Sequence, residues 1–212
     1  RDREGAHELF ERAEALVAHP AIRPRLYFGW ARALRRLDRD GEAIALYERL
    51  CEEYPAEALC ADALYEAGRL LQYQNEHERA RQKFELLVGL RPFHRDVPDA
   101  LWRAAFSAYL QEDWAVAAAA LRHLRAHYPD EQDASELTLG LKAQYWLGTT
   151  LLKAGDEAGA AAELGRAVQM GPLTWYGRLA AARLKSMGRT PRLHLPRVRL
   201  DARTLRRLER LH

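Results

Sequence analysis

The sequence predicts an all-α solenoid of antiparallel helix pairs, about four and a half repeats long and closed by a C-terminal capping helix. Three observations carry that expectation. The chain of 212 residues is 48% hydrophobic, and Ala and Leu supply most of that share alongside Arg and Glu, all good helix formers. Val, Ile and Thr, which strands prefer, are scarce. A small–large–apolar triplet recurs at a fixed interval. Ala6, Ala43, Ala80 and Ala117 stand 37 residues apart, and a fifth copy, Ala160, follows after 43. Prolines close each unit at the same offset: Pro55, Pro92, Pro129 and Pro172. Proline lacks an N–H and clashes with the preceding turn, so it stops a helix.

Each element follows from local pattern. Four residues after each Ala comes Phe10, Tyr47, Phe84, Leu121 or Leu164, and three further on Ala13, Leu50, Leu87, Leu124 or Ala167. Positions i, i+4 and i+7 share one helix face, so these are the second helices of the pairs. The first helices begin near Pro24, Ala61, Pro98 and Leu141. Their apolar stripes run through Tyr27, Trp30, Ala31 and Leu34; Leu64, Ala67, Gly68 and Leu71; Leu101, Ala104, Ala105 and Ala108; and Leu147, Gly148 and Leu151. Polar turns at Asp38–Gly41, Asn75–Glu78, Glu112–Asp113 and Gly155–Glu157 join the two helices of each pair. The longer fourth interval is absorbed by the polar stretch Asp130–Glu136. One domain, residues 1–190, thus holds a partial repeat at 1–20, pairs at about 24–57, 61–94, 98–131 and 141–174, and a capping helix at 173–187. In that helix Leu173, Tyr176, Leu179, Ala180 and Leu184 fall on one side, covering the last repeat. Residues 191–212 form a basic linker, with Asp201 as N-cap of a further helix, Ala202–Leu211.

The repeat resembles the tetratricopeptide repeat. Leu147-Gly148, Ala160, Leu164 and Pro172 meet that pattern most fully, and Trp30-Ala31, Ala67-Gly68 and Ala104-Ala105 are looser versions of the Leu-Gly pair. The resemblance implies a right-handed superhelix whose concave face, built by the first helices, binds partners. The fifth residue of each first helix is then informative: Phe28, Tyr65, Trp102 and Tyr145, all aromatic and in register. One turn on, along the same face, lie Arg32, Arg69, Phe106 and Thr149. These residues describe a groove for an extended ligand, with rings to stack on peptide side chains or sugars and Arg to pair with carboxylates. The same rings can equally pack between neighbouring helices, and burial separates the two readings.

Few other signals carry chemistry. His123 and His127 have the i, i+4 spacing of a metal handle but no further ligand on their helix, so surface histidines and no metal are expected. HExxH, GxSxG, GxGxxG and P-loop motifs are absent, and no catalytic residue or cofactor is expected. From Arg178 on there are 11 Lys+Arg against 2 Asp+Glu; the remainder holds 22 basic and 28 acidic residues. A basic tail on a mildly acidic body reads as a solvated linker rather than a nucleic-acid surface. No apolar run approaches the ~20 residues of a membrane-spanning helix. Cys51 and Cys60 stand nine apart, across a helix end and the following loop; paired, they indicate an oxidising compartment, and reduced, a cytosolic scaffold.

The segment Pro172-Leu-Thr-Trp-Tyr-Gly-Arg-Leu-Ala-Ala-Ala-Arg-Leu184 is similar to the one that closes the helical superstructure of soluble lytic murein transglycosylases. Trp175, Tyr176, Gly177, Leu179, Ala180, Arg183 and Leu184 carry the likeness. No Glu-Ser pair or Gly-Leu-Met-Gln-type motif occurs, so no catalytic residue carries over. The resemblance implies the non-catalytic superhelix of a bacterial periplasmic or envelope enzyme acting on peptidoglycan. The other expectation is an adaptor of envelope assembly that takes a peptide or protein partner in its groove.

Overall fold

The computed structural model describes residues 20–129 and 138–191, together with Arg12. The expected partial repeat around Ala6, Phe10 and Ala13, the stretch Asp130–Glu136 and the segment 192–212 lie outside the described residues. Among the described residues from 20 on, a 3-10 turn at Pro20–Ile22 leads into nine α-helices: α1 (Arg23–Arg35), α2 (Asp40–Glu53), α3 (Ala58–Tyr73), α4 (His77–Leu90), α5 (Val97–Leu110), α6 (Trp114–His127), α7 (Leu139–Lys153), α8 (Glu157–Met170) and α9 (Trp175–Ser186). No described helix is long and apolar enough to cross a membrane.

Every helix packs on its neighbours in sequence, and α1 also meets α3, α5 meets α7 and α7 meets α9. Contact between alternate odd helices places them side by side along one face of the array, the even helices lying behind. The fold is a helical solenoid of pairs α1–α2, α3–α4, α5–α6 and α7–α8, with α9 closing the end.

The turn inside each pair is one device used four times. Asp38, Asn75, Glu112 and Gly155 occupy equivalent repeat positions and all have positive φ, from 59° to 85°. The next residue's N–H then reaches back five residues: Arg39 to Leu34 O, Glu76 to Leu71 O, Asp113 to Ala108 O and Asp156 to Leu151 O, at 2.9–3.0 Å. This closes the exposed carbonyls of the first helix and reverses the chain. The second helix starts at once, capped in α6 by Asp113 Oδ1, which accepts from Val116 N, and in α8 by Asp156 Oδ1, which accepts from Gly159 N.

The buried core follows the predicted triplets. Ala43, Ala80, Ala117 and Ala160 are fully buried, as are Tyr47, Phe84, Leu164 and Leu87. The close approach they permit is tightest where the first helix carries glycine. A Cβ on Gly68 would sit 2.7 Å from the Phe84 ring, and one on Gly148 2.7 Å from Leu164 Cγ. Polar groups brace the junction of the last pairs. Buried Gln144 of α7 donates to Glu163 of α8 at 2.6 Å and accepts from Arg125 of α6 at 2.8 Å.

Two expectations are corrected here. Leu173 lies in the turn before α9 and is exposed, leaving Gly177, Ala180 and Leu184 as that helix's buried residues. The turn must leave the end of α8 before α9 can dock, so Leu173 points away. Cys60 is in the first turn of α3 rather than in a loop. The short Tyr54–Glu57 connection brings the end of α2 beside the start of α3, with the two Cα atoms 4.8 Å apart, and Cys51 and Cys60 form a disulfide. The bond clamps the first repeat to the second. Its small loop predicts a stabilisation of about 2–3 kcal/mol. Urea titration with and without a reductant should show that loss; equal midpoints would mean the helix packing alone holds the junction.

Candidate functional site: the inner helical face

The odd helices set the side chains of interest on one face, and the structure divides them into two groups. At the first end, α1 and α3 flank a cleft of about 390 Å³ lined by Phe28, Arg32, Arg35, Asp62, Tyr65 and Glu66, together with Arg95 and Asp96. Phe28 and Tyr65 are half-buried. The Phe28 ring lies 5.4 Å from that of Tyr47, and the Tyr65 ring meets Phe84 edge-on at 6.1 Å.

Ion pairs organise this cleft. Glu66 accepts from Arg35 at 2.8 Å and pairs with Arg69 at 3.4 Å. The Tyr65 hydroxyl donates to Asp99 Oδ2 at 2.5 Å, and Arg103 Nε donates to the same oxygen. Burial first, and then the hydrogen bond to the Asp99 carboxylate, push the Tyr65 hydroxyl up to about 12. Arg69 and Arg103 both stand over the Tyr65 ring at 5.8 Å, a cation–π arrangement. Arg69 is therefore held within the network, while Arg32 stands exposed in the cleft.

The second group is aromatic. Trp102 and Phe106 of α5 stack at 5.5 Å, and Trp146 of α7 meets both. Tyr109 stacks on Phe106 and meets Trp146 edge-on. Tyr145 joins through Trp146 and reaches Tyr176 of α9 at 5.4 Å. Lys142 Nζ lies 4.1 Å above the Trp102 ring. Trp102 and Tyr145 are only 9% and 6% exposed, because each also packs against a ring of a neighbouring odd helix, Trp146 and Tyr176 respectively. Tyr145 also borders a shallow pocket of about 220 Å³ with Leu179 and Arg183.

Phe28, Arg32 and Tyr65 thus share one cleft, Trp102, Phe106 and Tyr145 share one aromatic cluster, and Arg69 lies between them. Sequence reasoning missed Tyr109, Trp146 and Tyr47. Trp102, Phe106 and Tyr109 are spaced i, i+4, i+7, a signal that was present; nothing in the sequence marked the environment of Tyr47.

His123 and His127 are exposed, with rings 4.1 Å apart. Asp62, His94 and Asp96 can each place one ligand atom within 4.8 Å of the others. Arg95 already pairs with Asp62 at 3.1 Å and Asp96 at 3.5 Å, so one guanidinium bridges the two carboxylates and the set reads as an ion-pair network.

Comparison with known proteins agrees with this geometry. The tetratricopeptide repeat family model matches residues 25–56, 62–93 and 99–131, which correspond to α1–α2, α3–α4 and α5–α6. These three helix pairs are tetratricopeptide repeats. The pair α7–α8 repeats the same turn, glycine and core positions outside the matched segments. Solved structures of the same fold include a MamA RS-1 ArsTM double mutant, 18% identical, covering 78% of this chain and 85% of that one with a TM-score of 0.59. A Podosopora anserina putative kinesin light chain with TPR-like repeats is also 18% identical, covering 87% and 88% with a TM-score of 0.57. BtubC from P. vanneervenii is 16% identical, covering 93% and 78% with a TM-score of 0.58. A search of curated proteins finds no match. The first helices of the pairs form the face that holds both the cleft and the aromatic cluster.

Proposed function

We propose that this chain is a non-catalytic scaffold that binds an extended peptide segment of a partner protein along the face of its odd helices. The observation that carries the reading is the pairing of an open, charged cleft at α1–α3 with a partly exposed aromatic cluster at α5–α7. Rings give contact area at low entropic cost, and fixed guanidinium groups give direction. Panning a displayed random-peptide library on the chain tests it. Selected peptides should compete for one site and lose affinity about tenfold or more on Trp102→Ala, the order of loss when an aromatic anchor is truncated. Peptides indifferent to both Trp102→Ala and Phe28→Ala would sink the groove.

A narrower reading places this scaffold in a bacterial envelope, as the helical region of a lytic transglycosylase. Two observations support it: the Pro172–Leu184 motif and the Cys51–Cys60 disulfide, a bond that persists in oxidising compartments. Reading the gene downstream tests it, since the idea requires a lysozyme-like domain there. Co-sedimentation with purified peptidoglycan, lost in Trp102→Ala, would bring glycan into the same groove.

A further inference from the structure

We propose that the α8–α9 end of the array is a docking site for one amphipathic helix of a partner protein, which lies over α8 and α9 as the second helix of a fifth pair. The site is separate from the inner face and does not rest on it.

The turn that reverses the chain inside each pair occurs a fifth time. Gly188 follows α9 with φ 71°, and the Arg189 N–H reaches back to Leu184 O at 2.9 Å. α9 is therefore built as the first helix of a pair. Its second helix is not in place among the described residues. In register with Ala181 stand Ala31, Gly68, Ala105 and Gly148, and all four are buried. Gly68 and Gly148 lie directly under Phe84 and Leu164 of their second helices. Ala181 is only half-buried.

The space such a helix would fill is open. A groove of about 480 Å³ is lined by Ala158, Ala161, Ala162, Gly165 and Gln169 of α8, with Leu184 of α9 and residues 189–191. This is the side of an even helix that meets the next even helix. At the place of Gly165, α2 carries Glu48, which pairs with Lys83 of α4 at 2.6 Å and with Arg79 at 3.4 Å. The groove thus continues an interface already used inside the array.

The chemistry of the occupant follows from the walls. Where α4 carries Glu78, Arg81, Gln82 and Glu85, α8 carries Ala158, Ala161, Ala162 and Gly165. The facing side of the docked helix is therefore apolar, and burial of that side drives the association. Towards α9 it carries a large apolar residue that covers Ala181, as Phe84 covers Gly68. The residues after Gly188 lack this pattern. Each second helix has Ala five positions after its turn residue and a large apolar residue four further on; after Gly188 those places hold Leu193 and Arg197, with Pro196 between them. Proline breaks a helix interior, so the fitting helix comes from another chain.

The probe is a synthetic peptide with the sequence of residues 113–127, fluorescently labelled and blocked at both ends. It is Ala-rich and forms helix readily. It carries Ala117 and Leu121 in the required register, with Val116 and Ala120 where α4 has Arg79 and Lys83. In fluorescence anisotropy it should bind the whole chain saturably. A Leu121→Asp peptide should bind at least about tenfold more weakly, and so should the unchanged peptide to Gly165→Arg, the scale of one lost apolar anchor. A Cβ at Gly165 meets nothing within 4 Å, so Gly165→Arg fills the groove without disturbing the packing and its melting temperature should not fall. With a photoreactive leucine analogue in place of Leu124, crosslinks should map to α8 and α9.

No saturation at about 1 mM peptide, equal binding by the Leu121→Asp peptide or by Gly165→Arg, or crosslinks confined to α1–α6 would overturn the proposal. Binding that appears only after Leu205 and Leu208 of the chain are both replaced by Asp would give the groove to the chain's own C-terminal segment, and would overturn it as well.

Discussion

Phe84→Ala is expected to destabilise the chain by about 3–5 kcal/mol, the cost of emptying a fully packed aromatic site. Phe84 is completely buried. Its ring edge occupies the space that Gly68 leaves open, so close that a Cβ there would come within 2.7 Å. On its other side the ring meets Tyr65 at 6.1 Å. Two backbones are held apart by this one ring, and rigid helices cannot fold inward to refill it. A solenoid is stabilised by its units and by the contacts between neighbours, so the damage should be local before it is global. Urea unfolding followed by circular dichroism measures the loss, and hydrogen exchange locates it. Amides of α3 and α4 should exchange first, with α7–α9 still protected. A loss below about 1 kcal/mol would mean that the helices collapse onto the smaller residue, against the packing described here.

Gly177→Ala should detach the terminal helix. Gly177 is buried in the first turn of α9, directly over the α8–α9 turn. A Cβ there would fall onto Gly171 O and lie 2.7 Å from its carbonyl carbon. Those are backbone atoms, and they are pinned. Thr174 Oγ1 donates to Gly171 O at 2.6 Å and accepts from Gly177 N at 3.2 Å. Relief is possible only by lifting α9, at a cost of about 3 kcal/mol, the upper end for overpacking. Gly165→Ala is the matched control. It lies inside α8 with nothing within 4 Å of the added atom, so it should stabilise by up to about 1 kcal/mol through helix propensity alone. Thermal melts of both variants, with limited proteolysis at α9, decide the matter. Equal melting temperatures would contradict the proposed backbone contact. The result also explains a motif: Gly177 belongs to the segment that resembles the transglycosylase closure, and its presence there has a steric reason independent of any enzyme.

Much of this was legible in the chain. The 37-residue recurrence of Ala43, Ala80 and Ala117 placed the second helices, and the polar turns at Asp38, Asn75, Glu112 and Gly155 placed the reversals. Such features depend on periodicity and on local backbone preference, which a sequence carries openly. Leu173 shows the limit: helical spacing put it on the packing face of α9, but the turn over Gly171 starts the helix later.

The candidate site was legible only in part. Phe28, Tyr65, Trp102 and Tyr145 could be recognised as one register position, yet their unequal exposure depends on how closely each inner helix approaches the next. Tyr47 was readable as a core residue. That its hydroxyl is buried without a hydrogen-bond partner among the described residues, and within reach of the charges of Glu66, Arg35 and Arg32 from two other helices, was not.

By itself, then, the sequence determined the helix pairs, their register, their small-against-large core and the aromatic position repeated on the inner face. The tertiary structure alone decided which residues share a cleft, that Cys51 and Cys60 are bonded, and that every cleft carboxylate is paired. The physical reason is separation along the chain. Local pattern repeats every few residues, whereas ion pairing and burial are set by side chains some 15 to 40 positions apart, whose distances exist only once the helices have stacked.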